Sequence, residues 1–127
     1  MTDERIYSVL IVDDERFVRQ LLNSFLGSKY ACSTAENGEQ ALQELKTRQI
    51  DLVMTDIKMP GMSGLELCDI VRRSYQQTQV VIISALADSA RREAAQRCGA
   101  VEFIEKPFDL KHVLNTIERV LKSNSNR

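Results

Sequence analysis

The sequence predicts a single α/β domain, a doubly wound (βα)5 unit with a parallel five-stranded sheet and helices on both faces. Two observations lead to this fold class. Short apolar runs of strand length alternate five times with segments of helical spacing, and parallel strands need the crossover connections that helices provide. The 127 residues, with five glycines and two prolines, have the length of one ordinary domain.

The predicted strands are short runs rich in apolar and β-branched side chains. Only the second, YACSTA, is weak in this respect. The predicted bounds are Tyr7–Val12, Tyr30–Ala35, Leu52–Thr55, Val80–Ser84 and Val101–Ile104. None of the five glycines interrupts a predicted element.

The predicted helices differ in the apolar surface that they offer. The first has six large apolar side chains at helical spacing: Phe17, Val18, Leu21, Leu22, Phe25 and Leu26. The fourth, Ser89–Cys98, has a packing face of small side chains only: Ala90, Ala94, Ala95 and Cys98. Because less apolar area means weaker attachment, we expect the fourth helix to be the most easily displaced.

Composition argues against several classes of protein. Seventeen basic and eighteen acidic residues leave a net charge of −1, so no overall field favours nucleic acid or an anionic membrane. Cys32, Cys68 and Cys98 form no CxxC pair, which argues against a zinc site or a disulfide framework. The N-terminus is charged where a signal peptide is apolar, and no apolar run approaches membrane-spanning length. These features predict a cytoplasmic protein without direct contact to nucleic acid or membrane.

The predicted domain extends over residues 1–122. Residues 123–127, SNSNR, form a polar tail that is either a natural end or the start of a linker. No internal repeat longer than the βα unit and no low-complexity tract divides the chain further.

Charged and hydroxyl side chains lie at the carboxyl ends of the predicted strands. In chain order they are Asp13, Asp14, Glu15, Asp56, Ser84 and Lys106. In a flavodoxin-like sheet of strand order 2-1-3-4-5, strands one and three are neighbours, and strands four and five follow outward. We therefore expect these side chains to meet in one shallow cleft.

The chemistry expected of such a cleft is phosphoryl transfer beside a metal ion. Crowded carboxylates repel one another, and a hard divalent cation, with Mg²⁺ as the expected ion, relieves that repulsion. One carboxylate can then form an aspartyl phosphate, while an ammonium and a hydroxyl stabilise the transferred charge. Taken singly, the same residues have ordinary roles as helix caps, strand-end hydrogen-bonding groups and solvated charges.

Four motifs, IVDDE, MTDIKMPGMSG, IISA and EKPF, occur in this order over almost the entire chain. The set closely resembles the CheY-like receiver domain of bacterial two-component response regulators, typified by the chemotaxis response regulator. The resemblance implies that Asp56 is the phosphorylated aspartate and that Asp13 and Asp14 are the acidic pair, with Asp14 as the direct Mg²⁺ ligand. The other positions that it assigns are Asp56 and the Lys58 backbone carbonyl as further metal ligands, Ser84 and Lys106 as phosphoryl-binding groups, Phe103 as the switch aromatic residue, and Pro107 after a cis peptide bond.

The resemblance also implies how phosphorylation becomes a signal. The phosphoryl group draws the Ser84 loop inward, which leaves space for Phe103 to turn inward and for the fourth helix to repack. A fixed core position for Phe103 is the alternative. The responding surface is the fourth helix, fifth strand and fifth helix, through which a phosphorylation-dependent dimer can also form. On that helix we interpret Arg91, Arg92 and Arg97 as a solvated face.

Two cleft positions are associated in this family with the lifetime of the phosphate, Lys58 and Leu86 here. A long apolar side chain at Leu86 obstructs attacking water, so we expect slow self-dephosphorylation. His112, the only histidine, receives no role, because the phosphodonor histidine of this pathway belongs to a partner kinase.

The predicted function is that of a phosphoacceptor in two-component signal transduction. The chain is not expected to be an enzyme, although it promotes its own phosphorylation and dephosphorylation. A sensor histidine kinase or phosphotransfer protein is the expected donor, and an unidentified downstream target or output domain receives the signal.

Three alternatives stay open. One is a degenerate receiver that acts through phosphorylation-independent protein contacts. The second is a haloacid-dehalogenase-like phosphatase, which has a second aspartate where this chain has Lys58. The third is a flavodoxin-like FMN carrier, which has a Ser/Thr/Gly-rich phosphate loop where this chain has DDER.

Overall fold

A computed structural model describes residues 5–125, in which strand and helix alternate five times as predicted. The strands are β1 (Ser8–Val12), β2 (Ala31–Ala35), β3 (Leu52–Thr55), β4 (Gln79–Ser84) and β5 (Glu102–Glu105). The helices are α1 (Arg16–Leu26), α2 (Gly38–Thr47), α3 (Gly64–Ser74), α4 (Ser89–Arg97) and α5 (Leu110–Ser125). The predicted bounds are correct to within one residue for every strand.

The strands form one parallel sheet of order β2-β1-β3-β4-β5, which confirms the predicted topology. Val12 pairs with Thr55, so β1 and β3 end side by side at the centre of the sheet. The next residue on each strand is an aspartate, Asp13 or Asp56. The Asp56 backbone N–H donates to the Val12 carbonyl at 3.1 Å, which fixes the two aspartates on adjacent strand ends.

Each face of the sheet has its own apolar core. On one face, side chains of β1, β3 and β4 pack against α2, α3 and α4 through residues that include Ala41, Leu45, Leu67, Val71 and Ala95. On the other face, the alternate strand residues pack against α1 and α5 through Leu22, Leu26, Val113, Ile117 and Leu121. Burial of one such large side chain stabilises the fold by about 1.5–3 kcal/mol, so the central strands are held from both sides.

The first turns of two helices are more exposed than their sequences predict. Phe17, which the helical spacing assigns to the packed face, is 73% exposed, because α1 is buried only further along, at Leu22 and Leu26. Ala90 is likewise exposed, because α4 reaches the core only near Ala95, its one buried residue. The structure therefore confirms the small apolar contact of α4 and corrects the two assignments.

No helix among residues 5–125 has the length and apolar content required to cross a bilayer. Helix α5 runs to Ser125, so the predicted polar tail begins as helix. Residues 1–4 of the predicted domain and residues 126–127 of the tail lie outside the described residues.

Candidate functional site

The carboxyl ends of β1, β3, β4 and β5 open onto one cleft of about 500 Å³. Its polar lining consists of Asp14, Glu15, Asp56, Lys58, Ser84 and Lys106. Asp13 is buried beside them and contacts Lys106. The structure thus brings all the predicted strand-end groups together.

A larger hollow, of about 590 Å³, lies at the opposite edge of the sheet. Its carboxylate, Asp51, already forms an ion pair with Arg5 and accepts the Ser8 backbone N–H at 2.8 Å. Both contacts join the start of β1 to the start of β3. We therefore give Asp51 a structural role and expect the reaction to take place in the cleft at the carboxyl ends of the strands.

Lys106 links the two central aspartates. Its Nζ donates to Asp13 Oδ2 and to Asp56 Oδ2, both at 2.8 Å, and lies 3.5 Å from Glu15 Oε1. Burial opposes the charge of this ammonium, but the hydrogen bonds and charges of Asp13 and Asp56 outweigh it and raise the pKa of Lys106 above its ordinary value. The lysine is therefore charged at neutral pH.

Asp13 is the most buried carboxylate of the site, with 1% of its surface exposed. Burial raises the pKa of Asp13 above 3.8, even though the Lys106 ammonium and the Glu15 backbone N–H, 2.9 Å from Oδ1, act to lower it. Burial thus destabilises the ionised form of Asp13, and a bound cation would reduce that destabilisation.

Asp56 is held in one orientation by its own loop. The Ile57 backbone N–H donates to Asp56 Oδ1 at 2.6 Å, which leaves Oδ2 to contact Lys106. The loop is in turn fixed by the start of α3, where the Gly64 N–H donates to the Ile57 carbonyl at 2.8 Å. A Cβ at Gly64 would lie 1.7 Å from the Asp56 carbonyl oxygen, so only glycine permits this close approach.

The N-terminus of α3 is closed by a capping box. Ser63 Oγ accepts the Glu66 N–H at 3.1 Å, and the Glu66 carboxylate accepts the Ser63 N–H at 3.0 Å. The turn that leads into it passes through Gly61, whose φ of +77° favours glycine. These features explain why Gly61, Ser63 and Gly64 occur in MTDIKMPGMSG: together they keep α3 packed against the Asp56 loop.

Three carboxylates of the cleft are placed to share a cation. Oxygen atoms of Asp13, Glu15 and Asp56 lie within 4.8 Å of one another, and oxygen donors suit a hard divalent ion. Asp14, the ligand implied by the resemblance, is exposed and lines the same cleft with Lys58. Glu15 is therefore a candidate ligand that the sequence reasoning missed, although its position as the third consecutive acid was a signal.

Ser84 is buried at the end of β4. Its Oγ accepts the Leu86 backbone N–H at 3.1 Å, so the hydroxyl is tied to the loop between β4 and α4. Its carbonyl accepts the Lys106 backbone N–H at 2.9 Å, which brings the β4 and β5 ends together. The Lys106–Pro107 peptide bond is cis, as the resemblance implies.

Phe103 is half-buried on β5, and Arg92 of α4 covers its ring, with Cζ 4.7 Å from the ring centroid. Arg92 is exposed, as its interpretation as part of a solvated face predicts, but its guanidinium also has partners in the preceding loop and on β5. Its Nε also donates to the Ala87 carbonyl at 2.9 Å, and its Nη2 donates to Glu105 Oε1 at 3.1 Å. Composition could not indicate this, because the partners are brought together only by the α4–β5 packing.

The sequence matches the family model of the response regulator receiver domain over residues 9–118. The chain belongs to this family. The receiver domain is 33% identical over 114 residues to the DNA-binding transcriptional regulator NtrC of Escherichia coli (strain K12), a match that covers 89% of this chain and 24% of NtrC. The receiver domain thus spans about a quarter of the length of that relative.

Solved structures resemble the receiver domain along nearly its full length. A CheY-like receiver domain protein from Methanospirillum hungatei JF-1 has a TM-score of 0.92 and 22% identity over 96% of this chain and 98% of that one. The signal receiver domain of an HD domain-containing protein from Pseudomonas fluorescens Pf-5 has a TM-score of 0.92 and 26% identity over 97% and 100%. The fold is therefore CheY-like. The family to which the chain belongs consists of phosphoacceptor domains of two-component signalling.

Proposed function

We propose that this receiver domain accepts a phosphoryl group on Asp56 in a Mg²⁺-dependent reaction and changes the surface formed by α4, β5 and α5. The observation that best supports this is the fixed orientation of Asp56, whose Oδ1 is held by Ile57 and whose Oδ2 is held by Lys106. A carboxylate that is positioned in advance at a cleft loses little entropy when it attacks.

In the proposed reaction, one oxygen of Asp56 attacks the phosphorus atom of a phosphohistidine. The O–P bond forms as the P–N bond breaks, and the leaving imidazole takes up a proton from water. Lys106 neutralises charge on the transferred group, and Ser84, whose Oγ only accepts from Leu86, donates its own proton to a phosphoryl oxygen.

The donor set fits Mg²⁺. We propose that Asp13, Asp14, Asp56 and the Lys58 backbone carbonyl hold the ion, with Glu15 as a further carboxylate within reach. When bound, the ion neutralises the carboxylates and orients the phosphoryl oxygens. Lys106 already neutralises Asp13 and Asp56, so the lysine and the cation compete for the same carboxylates and are expected to weaken each other's contacts.

The donor is proposed to be a sensor histidine kinase or phosphotransfer protein that docks beside the cleft. Phe17 offers a contact for it, because this exposed aromatic side chain lies two residues after Glu15, which lines the cleft. Residues 1–122 are proposed to be the receiver unit, and 123–127 a natural end or the start of a linker to an output domain. A cytoplasmic location is proposed, since Cys32, Cys68 and Cys98 are free thiols.

The same site is proposed to remove its phosphate by attack of water, without a separate enzymatic activity. Half-buried Leu86 and exposed Lys58 both line the cleft that holds Asp56. The apolar Leu86 side chain restricts water there, so we expect slow self-dephosphorylation.

The direct test is incubation with Mg²⁺ and acetyl phosphate, followed by intact mass. The wild type is expected to gain one phosphoryl group and Asp56→Asn none. The matched control is Asp69→Asn, which removes an ion pair with Arg73 on the surface of α3 and should behave as wild type. Equal uptake by Asp56→Asn would refute the site assignment. No uptake by the wild type would favour a degenerate receiver that acts by protein contacts alone.

A further inference from the structure

Helix α4 is attached to the rest of the domain by little apolar contact. Ala95 is its only buried residue, Ala94 is half-buried, and the first turn is exposed. Asp88 caps its N-terminus by accepting the Arg91 N–H at 2.9 Å, which orders the helix without attaching it to the sheet. Contacts of longer side chains therefore matter for the attachment of α4.

Arg92 supplies three such contacts at once. Its Nε donates to the Ala87 carbonyl at 2.9 Å, its Nη2 donates to Glu105 Oε1 at 3.1 Å, and its guanidinium lies over the Phe103 ring. A planar guanidinium can make these in-plane and face contacts together, which a lysine ammonium cannot. One side chain thus joins α4, the loop before it, and β5.

These contacts connect Arg92 to both moving parts of the proposed switch. Ala87 follows Ser84 by three residues in the loop that a phosphoryl group is expected to draw inward, and Ser84 Oγ already holds this loop at Leu86. Phe103 lies in a groove between α4 and β5 of about 300 Å³, which Arg92 also lines. We expect inward movement of the loop to carry the Ala87 carbonyl away from Arg92, and inward rotation of Phe103 to remove the ring from beneath the guanidinium.

We propose that Arg92 is a positioning residue that holds the Ala87 loop, α4 and Phe103 in the unphosphorylated arrangement, so that its contacts oppose the switch. The inference rests on the proposed phosphorylation of Asp56 and adds to it a residue that sets how readily the domain switches. A contact present in only one of two arrangements shifts the equilibrium toward that arrangement by its own free energy.

The test is the affinity of beryllofluoride, an aspartyl phosphate mimic, measured by titration calorimetry at saturating Mg²⁺. Arg92→Met keeps the length and packing of the stem and removes the guanidinium. We expect this variant to bind beryllofluoride at least about fivefold more tightly than wild type, which is the lower end of a typical coupling between sites. The matched control is Arg97→Met, with the same change in charge on an exposed position of the same helix, which should leave the affinity unchanged.

A residue with only a structural role would lower the free energy of unfolding without tightening beryllofluoride binding. Equal or weaker binding by Arg92→Met relative to Arg97→Met would therefore overturn the proposal. In a Phe103→Leu background the effect of Arg92→Met should shrink, because part of the contact is already gone. An undiminished effect would contradict a role that acts through Phe103.

Amide hydrogen exchange of the ligand-free protein separates this inference from the proposed function. Arg92→Met should increase exchange in α4 relative to Arg97→Met, because the helix loses contacts that hold it to the Ala87 loop and to β5. If the wild type binds no beryllofluoride, the proposed function fails, and this exchange difference alone decides whether Arg92 holds α4. Equal exchange in the two variants would overturn the inference whatever the phosphate chemistry.

Discussion

Strands β3 and β5 are both four residues long and both end at the cleft, yet they are held very differently. All four residues of β3 are buried, and the strand has a hydrogen-bonded neighbour on each side. Only Ile104 of β5 is buried, and the strand lies at the edge of the sheet beside α4. The proposed nucleophile thus follows a strand that is held on both sides, and the proposed switch residue lies on a partly buried edge strand.

This difference shows how one domain can combine accurate chemistry with a conformational response. Phosphoryl transfer depends on positioning, which the central strands and the packed start of α3 supply. Signalling needs an element with a low cost of displacement, which α4 and β5 supply. The ends of β1 and β3 with the start of α3 form the rigid side of the site, and α4 with β5 forms the responsive side.

The largest effect is expected from Lys106→Met, which breaks the rigid side. It leaves the buried carboxylates of Asp13 and Asp56 without a counter-charge, and removal of one partner of a buried ion pair costs about 3–5 kcal/mol. Denaturant unfolding should show this loss without divalent cations and a partial recovery with Mg²⁺. The control is the exposed Lys111→Met. Equal stability of the two variants would contradict the central role of Lys106.

A smaller loss is expected from Gly64→Ala. The added Cβ meets the Asp56 carbonyl oxygen, so the backbone of the loop or of α3 must shift, and overpacking of this kind costs about 1–3 kcal/mol. Phosphate uptake from acetyl phosphate should slow as well, because Asp56 loses its orientation. The exposed α2 position Gln43→Ala serves as control. Full stability of Gly64→Ala would show that the α3 packing is not needed.

Helix α4, on the responsive side, can be destabilised with less effect on the stability of the whole domain. Glu93 is exposed in the middle of α4, and glycine there should cost about 1 kcal/mol relative to alanine through helix propensity. Comparison of Glu93→Gly with Glu93→Ala by amide hydrogen exchange should show faster exchange in α4 and unchanged exchange in β3. Faster exchange in both would mean that α4 and the central sheet open together.

The smallest effect is expected to have the opposite sign. The pKa of Asp13 is raised above 3.8 by burial, so the folded state favours its protonated form. The stabilisation from that proton is present below pH 3.8 and is lost as the pH rises through the higher folded value. In Asp13→Asn, unlike Lys106→Met, no buried charge loses its only partner, because Lys106 keeps Asp56. The variant should therefore gain stability over wild type at pH 7 and not at pH 3, measured by urea unfolding.

Mg²⁺ provides the control for that prediction. Because the ion is proposed to bind Asp13, it should stabilise the wild type at pH 7 and have a much weaker effect on Asp13→Asn. A variant that is less stable than wild type at pH 7 would mean that the Lys106 ion pair outweighs the cost of burying the carboxylate.

Much of this arrangement follows from the sequence because the fold converts order along the chain into proximity. Once the βα alternation fixes a parallel sheet, the residues that follow the strands must meet, so Asp56, Ser84 and Lys106 could be predicted together. The bridge that Lys106 forms between Asp13 and Asp56 depends on the side-chain torsions, and no pattern in the chain specifies them.

The exposed features were harder to predict for a different reason. Helical spacing indicates which residues share a face but not how far along the helix the neighbouring surface extends, and so it misassigned Phe17 and Ala90. Arg92 is exposed as interpreted, but its contacts could not be predicted, because the partners come from the loop before α4 and from β5. Contacts of this kind are visible only once the elements are packed.

The central claim is that phosphorylation at Asp56 moves the responsive side of the domain, α4 and β5, and leaves the rigid side in place. Amide hydrogen exchange of the wild type, with and without beryllofluoride and Mg²⁺, tests it most directly. We expect exchange in β1 and β3 to slow only as far as ligand binding stabilises the whole fold, and exchange in the Ala85–Asp88 loop, α4 and β5 to change by a different factor. A uniform change over all five strands, or no change in α4 while the ligand is bound, would contradict the account.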